Sequence, residues 1–173
     1  MKAQTKKIII VSSIVIILLM ATSLNNSAYA KAEAFIKKGE GLNLNAYLDS
    51  GGVWTIGYGS IFNYEKNRSV QQGDKITLQK AQQWLIIEMD KKAEAIKQYL
   101  KVPQTNNQIA ALISFAYNVG INGFKNSTLL KNINANKPRS EIEAQFMRWV
   151  YDNGKKVTGL VNRRANEVKL YFS

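Results

Sequence analysis

The chain has 173 residues, 46% of them apolar, with a mean hydropathy of −0.22 and a net charge of +12 from 24 basic and 12 acidic side chains. That length fits one domain, or a targeting segment followed by one domain, and the composition is that of a globular protein. Cysteine and histidine are both absent, which excludes disulfides, a thiol nucleophile, an iron–sulfur site and a Ser-His-Asp triad, and leaves only carboxylates to build a zinc site.

The N-terminus carries Lys2, Lys6 and Lys7, then an apolar run from Ile8 to Met20 broken only by Ser12 and Ser13, then a polar stretch ending in Ala28-Tyr29-Ala30. A basic start, a short apolar run and a small-x-small site describe a secretory signal peptide, with cleavage after Ala30. As a helix, the 13 residues of the run would span about 20 Å at ~1.5 Å per residue, short of a ~30 Å hydrocarbon core. Extending the run through Leu24 brings it closer to a span, so a retained membrane anchor over residues 8–24 is the second reading. The chain therefore divides into residues 1–30, a signal peptide or signal-anchor, and residues 31–173, one domain outside the cytoplasmic membrane. Localisation is the periplasm or extracellular wall, with membrane attachment if the segment is not cleaved. The three lysines are the only charges in residues 1–30, so residues 31–173 keep 21 basic and 12 acidic side chains, or +9. Such a balance attracts polyanions. Export removes nucleic acid as a partner and leaves anionic lipid or an anionic envelope. A solvated basic surface with no specific partner is the plain alternative.

Residues 33–38 read as a short helix burying Phe35 and Ile36. Six glycines then fall between Gly39 and Ser60, and Tyr47-Leu48 and Val53-Trp54-Thr55-Ile56 look like two strands joined by the Asp49-Ser50-Gly51-Gly52 turn. From Thr77 the period becomes helical: Leu78, Ala81, Leu85, Met89, Ala93, Ile96 and Leu100 share one face. The helix stops before Val102-Pro103. Thr105 and Gln108 make a capping box for the next helix, whose core face is Ile109, Leu112, Ile113 and Ala116 and whose end is Gly120. A short helix from Thr128 to Ala135 follows. Ser140 and Glu143 make a second capping box, for a helix through Trp149. Asn153-Gly154 is a turn, and a basic helix runs from Gly159 to Tyr171. The fold class is α+β, predominantly helical, with a small β-hairpin region near the N-terminus of the domain and a helical lobe after it. Monomeric behaviour is expected.

Most acids, namely Glu65, Asp74, Glu88, Asp90, Glu94, Glu141, Glu143 and Glu167, fall at spacings that read as solvated helix faces or i,i+4 partners of lysine. Glu40 and Asp49 differ. Glu40 sits between two glycines at a helix-to-strand junction, Asp49 opens the glycine turn, and Thr55 lies on the return strand, so a hairpin could gather all three around one cleft. Two carboxylates flanking a cleft can cleave a glycosidic bond: one gives a proton to the leaving oxygen, and the other, ionised, activates water or supports the positive charge on the sugar. An apolar wall is one way to keep the acid protonated. From spacing alone the signal is weak, because Asp before Gly is usually a turn residue and Thr55 reads equally well as an ordinary β-branched strand residue.

Glu40, eight residues, Asp49, five residues, Thr55 resembles the Glu-x8-Asp-x5-Thr triad of phage-type lysozymes, the endolysins of glycoside hydrolase family 24. Gly39-Glu40-Gly41 and Gly52-Val53-Trp54-Thr55-Ile56-Gly57-Tyr58-Gly59 resemble that family's catalytic hairpin, and Ser114-Phe115-Ala116-Tyr117-Asn118-Val119-Gly120 its central helix. Ser127-Thr128-Leu129-Leu130, Arg148-Trp149-Val150-Tyr151 and Gly159-Leu160-Val161-Asn162-Arg163-Arg164 resemble its C-terminal blocks. The resemblance runs in order over about residues 33–171. It implies a lysozyme-like fold and a muramidase that needs neither metal nor cofactor. Its partner would be peptidoglycan, cut at the β-1,4 bond between N-acetylmuramic acid and N-acetylglucosamine. By resemblance Glu40 is the general acid, Asp49 positions or activates water or supports the cation, and Thr55 orients the water, with inversion of configuration.

Asn118 and Arg163 are candidate substrate-binding residues. A capping or backbone-bridging role for Asn118 reads about as well, and for at least one of Arg163 and Arg164 a helix-end charge role reads better than contact with the glycan's peptide stem. Trp54, Trp84 and Trp149 are assigned to the core. The missing residues point the same way as the resemblance: zinc amidases and peptidases, and Cys/His amidases, need side chains this chain lacks. Three alternatives stay open. A lytic transglycosylase would use one Glu and yield a 1,6-anhydro product; a cationic wall-binding or membrane-disrupting protein would leave the cleft idle; and the N-terminal segment could hold the enzyme inactive at the membrane until release.

Overall fold

The computed structural model describes residues 27–173, so the expected signal or anchor segment lies outside the described residues except for its last four. The first helix, α1, covers residues 27–40 and buries Ala28, Ala32 and Ile36. Those positions recur every four residues and form a single stripe. The helix is longer than the predicted 33–38, and Phe35 is only half-buried. The alanines account for the extension: they favour helix without losing side-chain freedom, and no Gly or Pro interrupts the run before Gly39. The helix crosses Ala30 without a break.

A small lobe of short strands follows. Strands β1 (Asn43–Leu48) and β2 (Trp54–Gly57) pair antiparallel, with Tyr47 opposite Thr55 and Leu48 opposite Trp54. Strands β3 (Phe62–Asn63) and β4 (Arg68–Ser69) form a second antiparallel pair. The predicted hairpin is thus present, and the lobe is larger than predicted by one strand pair.

The helical lobe begins with α2 (Leu78–Tyr99), capped by the Thr77 side chain. Its buried face is the predicted one with Trp84 added, except that Leu78 is exposed and Leu100, the cap residue beyond the helix, is only half-buried. Helix α3 (Asn106–Asn126) opens on the predicted Thr105–Gln108 capping box and is two helices meeting at a kink: Gly120, at φ 77° and ψ 159°, is non-helical and ends the first of them as predicted. Residues 110–116 of α3 are all buried, as befits a helix enclosed on every side. It packs against α2 and against α6 (Thr158–Tyr171). Between them come α4 (Thr128–Asn134) and α5 (Arg139–Phe146). The second capping box does not form: α5 starts two residues early with Pro138 as its cap and no side-chain cap bond, so Ser140 falls inside the first turn. The Asn153-Gly154 turn joins strands β5 (Tyr151–Asp152) and β6 (Lys155–Lys156), a hairpin inside the helical lobe, and both turn residues adopt positive φ. Phe115 anchors the core edge-on to Phe146 and Trp149, at centroid distances of 5.4 and 5.6 Å.

Candidate active site

The two lobes enclose a cavity of about 590 Å³, with Glu40, Asp49 and Thr55 in its lining. Each reaches it from a different local structure. Glu40 is the last residue of α1, Asp49 opens the β1–β2 turn, and Thr55 lies on β2 opposite Tyr47.

Asp49 is exposed, and its Oδ1 accepts from the backbone N–H groups of Gly51 (2.9 Å) and Val53 (2.8 Å). The residue is therefore a turn-builder and a cavity residue at once: Oδ1 fixes the loop, and Oδ2 is the oxygen left for water or substrate. Thr55 is buried and its hydroxyl donates to the Val53 carbonyl at 3.1 Å. That bond fixes the rotamer and leaves the oxygen lone pairs available to a water molecule. Tyr47, on β1, is held protonated: burial pushes its phenol up, and the charges of Glu40 and then Asp49 add to that. Tyr47 lines the cavity together with both carboxylates.

Glu40 is not held by an apolar wall. Its Oε1 accepts from Arg163 Nη1 at 2.6 Å. The Arg163 Nη2 donates to the Ser114 carbonyl at 3.0 Å and its Nε to Glu167 Oε1 at 3.2 Å. Two glycines make this approach possible. A Cβ on Gly39 would lie 3.2 Å from Arg163 Nη1, and one on Gly59 would lie 3.3 Å from Glu40 Oε2, where the backbone also has φ +91°. Tyr117 closes the pocket behind Glu40, donating its hydroxyl to the Tyr58 carbonyl at 2.8 Å. Burial, then the charge of Glu40, pushes its phenol up.

Of the two candidate binding residues, Asn118 lines the cavity and Arg163 does not; Arg163 lies behind Glu40, its side chain 9% exposed. Arg164 is fully buried over the Phe115 ring, 4.8 Å from its centroid. Neither arginine is at a helix end, since α6 runs from Thr158 to Tyr171. Trp149, assigned to the core, presents part of its ring to the cavity while packing on Phe115. Tyr151 and Asp152 of the β5–β6 hairpin line the facing wall. The Asn-Gly turn beside an aromatic was the available sign of that hairpin.

The phage lysozyme family profile matches residues 37–167. The chain belongs to the phage lysozyme family. It is 37% identical over 147 residues to an endolysin of Acyrthosiphon pisum secondary endosymbiont phage 1, a match covering 83% of this chain and 96% of the relative. It is 33% identical over 128 residues to a SAR-endolysin of Enterobacteria phage PA-2, covering 74% of each. Among solved structures, an endolysin from Escherichia coli O157:H7 phage FAHEc1 superimposes with a TM-score of 0.72 and 39% identity, over 83% of this chain and 91% of that one. The lysozyme family brings with it glycoside hydrolase activity and lysis of peptidoglycan, and the lysozyme-like fold predicted from the sequence is the fold observed.

Proposed function

We propose that Glu40, Asp49 and Thr55 carry the hydrolysis of the β-1,4 bond between N-acetylmuramic acid and N-acetylglucosamine, in the manner of glycoside hydrolase family 24. Glu40 gives its proton to the bridging oxygen as the bond to the muramic anomeric carbon breaks. Asp49 Oδ2 and the Thr55 hydroxyl hold a water on the opposite face, and Asp49 takes the proton that the water loses on attack. The anomeric centre inverts. The single supporting observation is that these three side chains, from three separate elements, line one cavity large enough for sugar rings. Asn118, on the same wall, is proposed to contact the sugar.

The decisive experiment treats purified peptidoglycan with the full chain and its Glu40→Gln variant and reads the masses of the released fragments. Reducing N-acetylmuramic acid ends are expected, with the rate down about 10²–10⁴-fold in the variant. Anhydro ends would make the enzyme a transglycosylase, and equal lysis by both proteins without glycan scission would overturn the assignment.

Residues 31–173 are proposed as the exported lysozyme domain, a monomer, and residues 1–30 as a signal peptide or signal-anchor. Two observations favour the anchor: the similarity to a SAR-endolysin, and a helix that runs unbroken through Ala30 with Ala28 in the core, so that cleavage after Ala30 would strip a buried residue from the folded domain. The intact mass of the membrane-associated protein tests this. A chain beginning at Lys31 would establish the cleaved form.

A further inference from the structure

Beneath Glu40 lies a group of charges that the proposed chemistry does not use. Glu167, on α6, is fully buried. Its Oε1 accepts from the Ser114 hydroxyl at 2.7 Å, from Arg164 Nη2 at 3.0 Å and from Arg163 Nε at 3.2 Å, and its Oε2 lies 2.8 Å from Arg164 Nε. A carboxyl buried this deeply needs partners that outweigh the loss of water. Burial pushes the Glu167 carboxyl up and the Arg164 guanidinium down, and the attraction between them opposes both shifts.

We propose that Glu167 is a positioning residue for catalysis: it anchors the Arg163 guanidinium against Glu40 and cancels enough of its charge for Glu40 to act as an acid. The inference rests on the assignment of Glu40 as general acid. The geometry sets a problem that Glu167 solves. Arg163 touches Glu40 at 2.6 Å, and a guanidinium beside a carboxyl favours the carboxylate over the protonated form that must donate. Glu167 is bonded to the Nε end of the same guanidinium whose Nη1 holds Glu40, so one side chain joins the two carboxylates. With Glu40 and Glu167 both ionised they balance Arg163 and Arg164. With Glu40 protonated a single positive charge remains in the cluster, where without Glu167 there would be two.

The charged and titratable groups facing this cluster come from every element packed on it. They are Glu40 from α1, Arg163 and Arg164 from α6, Tyr117 from α3, Tyr47 from β1 and, beyond Tyr47, Asp49; Tyr117 in turn feels Glu88 of α2. Tyr47 and Tyr117 stay neutral, since burial pushes both phenols up. Glu167 is therefore the negative charge that shares Arg163 directly with Glu40.

The test is the pH dependence of kcat/KM for glycan cleavage by the full chain and by Glu167→Gln, which keeps the shape and an acceptor oxygen but removes the charge. The alkaline limb of the profile is expected about one pH unit lower in the variant, with KM unchanged, so that on the alkaline side of the limb kcat/KM falls about tenfold while the plateau on its acid side is kept. Glu167→Asp, which restores the charge, returns the limb toward the parent position. A profile lowered uniformly, with its limb unmoved, would reduce Glu167 to a packing role and overturn the inference. If Glu167→Gln does not fold, Ser114→Ala reads the same coupling with the same sign. Without that hydroxyl the buried Glu167 carboxylate loses a hydrogen bond that favours its charge, and the limb moves to lower pH; an unmoved limb overturns the inference equally. Glu40→Gln, assayed alongside, separates the two assignments. Full activity there removes Glu40 as the acid, whereas an inactive Glu40→Gln with an unshifted Glu167→Gln profile removes only the role of Glu167.

Discussion

Among the described residues two carboxylate–arginine clusters are buried, and they are built differently. In the small lobe Asp74 is 3% exposed and its acceptors are matched locally: Oδ1 takes Lys66 Nζ (2.7 Å) and Arg68 Nη2 (2.8 Å), and Oδ2 takes Arg68 Nη1 (2.8 Å) and the Gln71 N–H (3.1 Å). The cations keep contact with water, Lys66 with 55% and Arg68 with 32% of its side chain exposed. Under α6 the opposite holds. Arg164 and Glu167 have no exposure, Arg163 has 9%, and Arg164 Nη1 has no hydrogen-bond partner. The first cluster closes on itself within nine residues of sequence, from Lys66 to Asp74, and ties down a loop. The second draws on α1, α3 and α6, is imperfectly satisfied, and ends at Glu40 in the cavity. A closed local network suits folding, whereas an open one whose last member faces a cavity is placed for the proposed chemistry.

Removing one partner breaks this contrast most sharply. Arg164→Met fits the apolar bed on Phe115 but leaves Glu167 with Arg163 as its only cation, and a half-broken buried pair costs about 3–5 kcal/mol. Thermal unfolding is expected to show a loss of that size. A loss below about 1 kcal/mol would mean that Glu167 takes up a proton and relaxes, a neutral state the contrast does not allow. Asp74→Asn is expected to cost less, about 2 kcal/mol, because Lys66 and Arg68 can return to water. Its loss also carries a pH signature. Arg68, then Lys66, hold the Asp74 carboxyl well below the usual carboxylate range, whereas in the unfolded chain it titrates near pH 4. The stabilisation is thus present in full above about pH 5 and fades as the pH falls further. Denaturant unfolding at pH 7 and at pH 3 should therefore show the gap between parent and Asp74→Asn narrowing in acid.

Gly59→Ala sharpens the functional side. At φ +91° an alanine is strained by about 1–2 kcal/mol, and its Cβ would meet Glu40 Oε2 at 3.3 Å. Activity should fall further than stability does, because the displaced group is the proposed acid. Gly120 is the control, also at positive φ (+77°) but with nothing within 4 Å of an added Cβ. Alanine there should cost stability alone, about 1 kcal/mol.

The long helices were legible in the sequence because their signals are local. The Thr105–Gln108 box, the apolar period of α2 and the Asp49 turn each depend on neighbours a few residues away. The spacing of Glu40, Asp49 and Thr55 also survived folding, since a hairpin converts short sequence intervals into proximity. What the sequence concealed was burial of charge. Asp74 and Glu167 both read as solvated acids, yet both are buried. For Glu167 the reason is plain: its helix packs into the core beside Ser114, 53 residues away, and Arg163 reaches a residue 123 positions distant. No helical period announces partners at that range. Trp149 packs on the core as expected and also lines the cavity, since a large ring can serve both.

The smallest effect tests the closed cluster itself. Lys66 bonds Asp74 Oδ1 at 2.7 Å, as short as any contact in that group, yet more than half of its side chain is in water. An exposed cation in an ion pair contributes little, because solvent screening and lost side-chain freedom offset the attraction, and Lys66→Ala is expected to cost only about 0.5 kcal/mol. Arg68 remains on both Asp74 oxygens, so the buried carboxylate never loses its counter-charge. Arg68→Ala would leave only the exposed Lys66 as counter-charge and should cost several times more. Similar losses for the two variants would show that the lysine is held as tightly as the arginine. Asp74 would then depend on all its partners at once, as Glu167 does, and the contrast between the two clusters would rest only on which of them reaches the cavity.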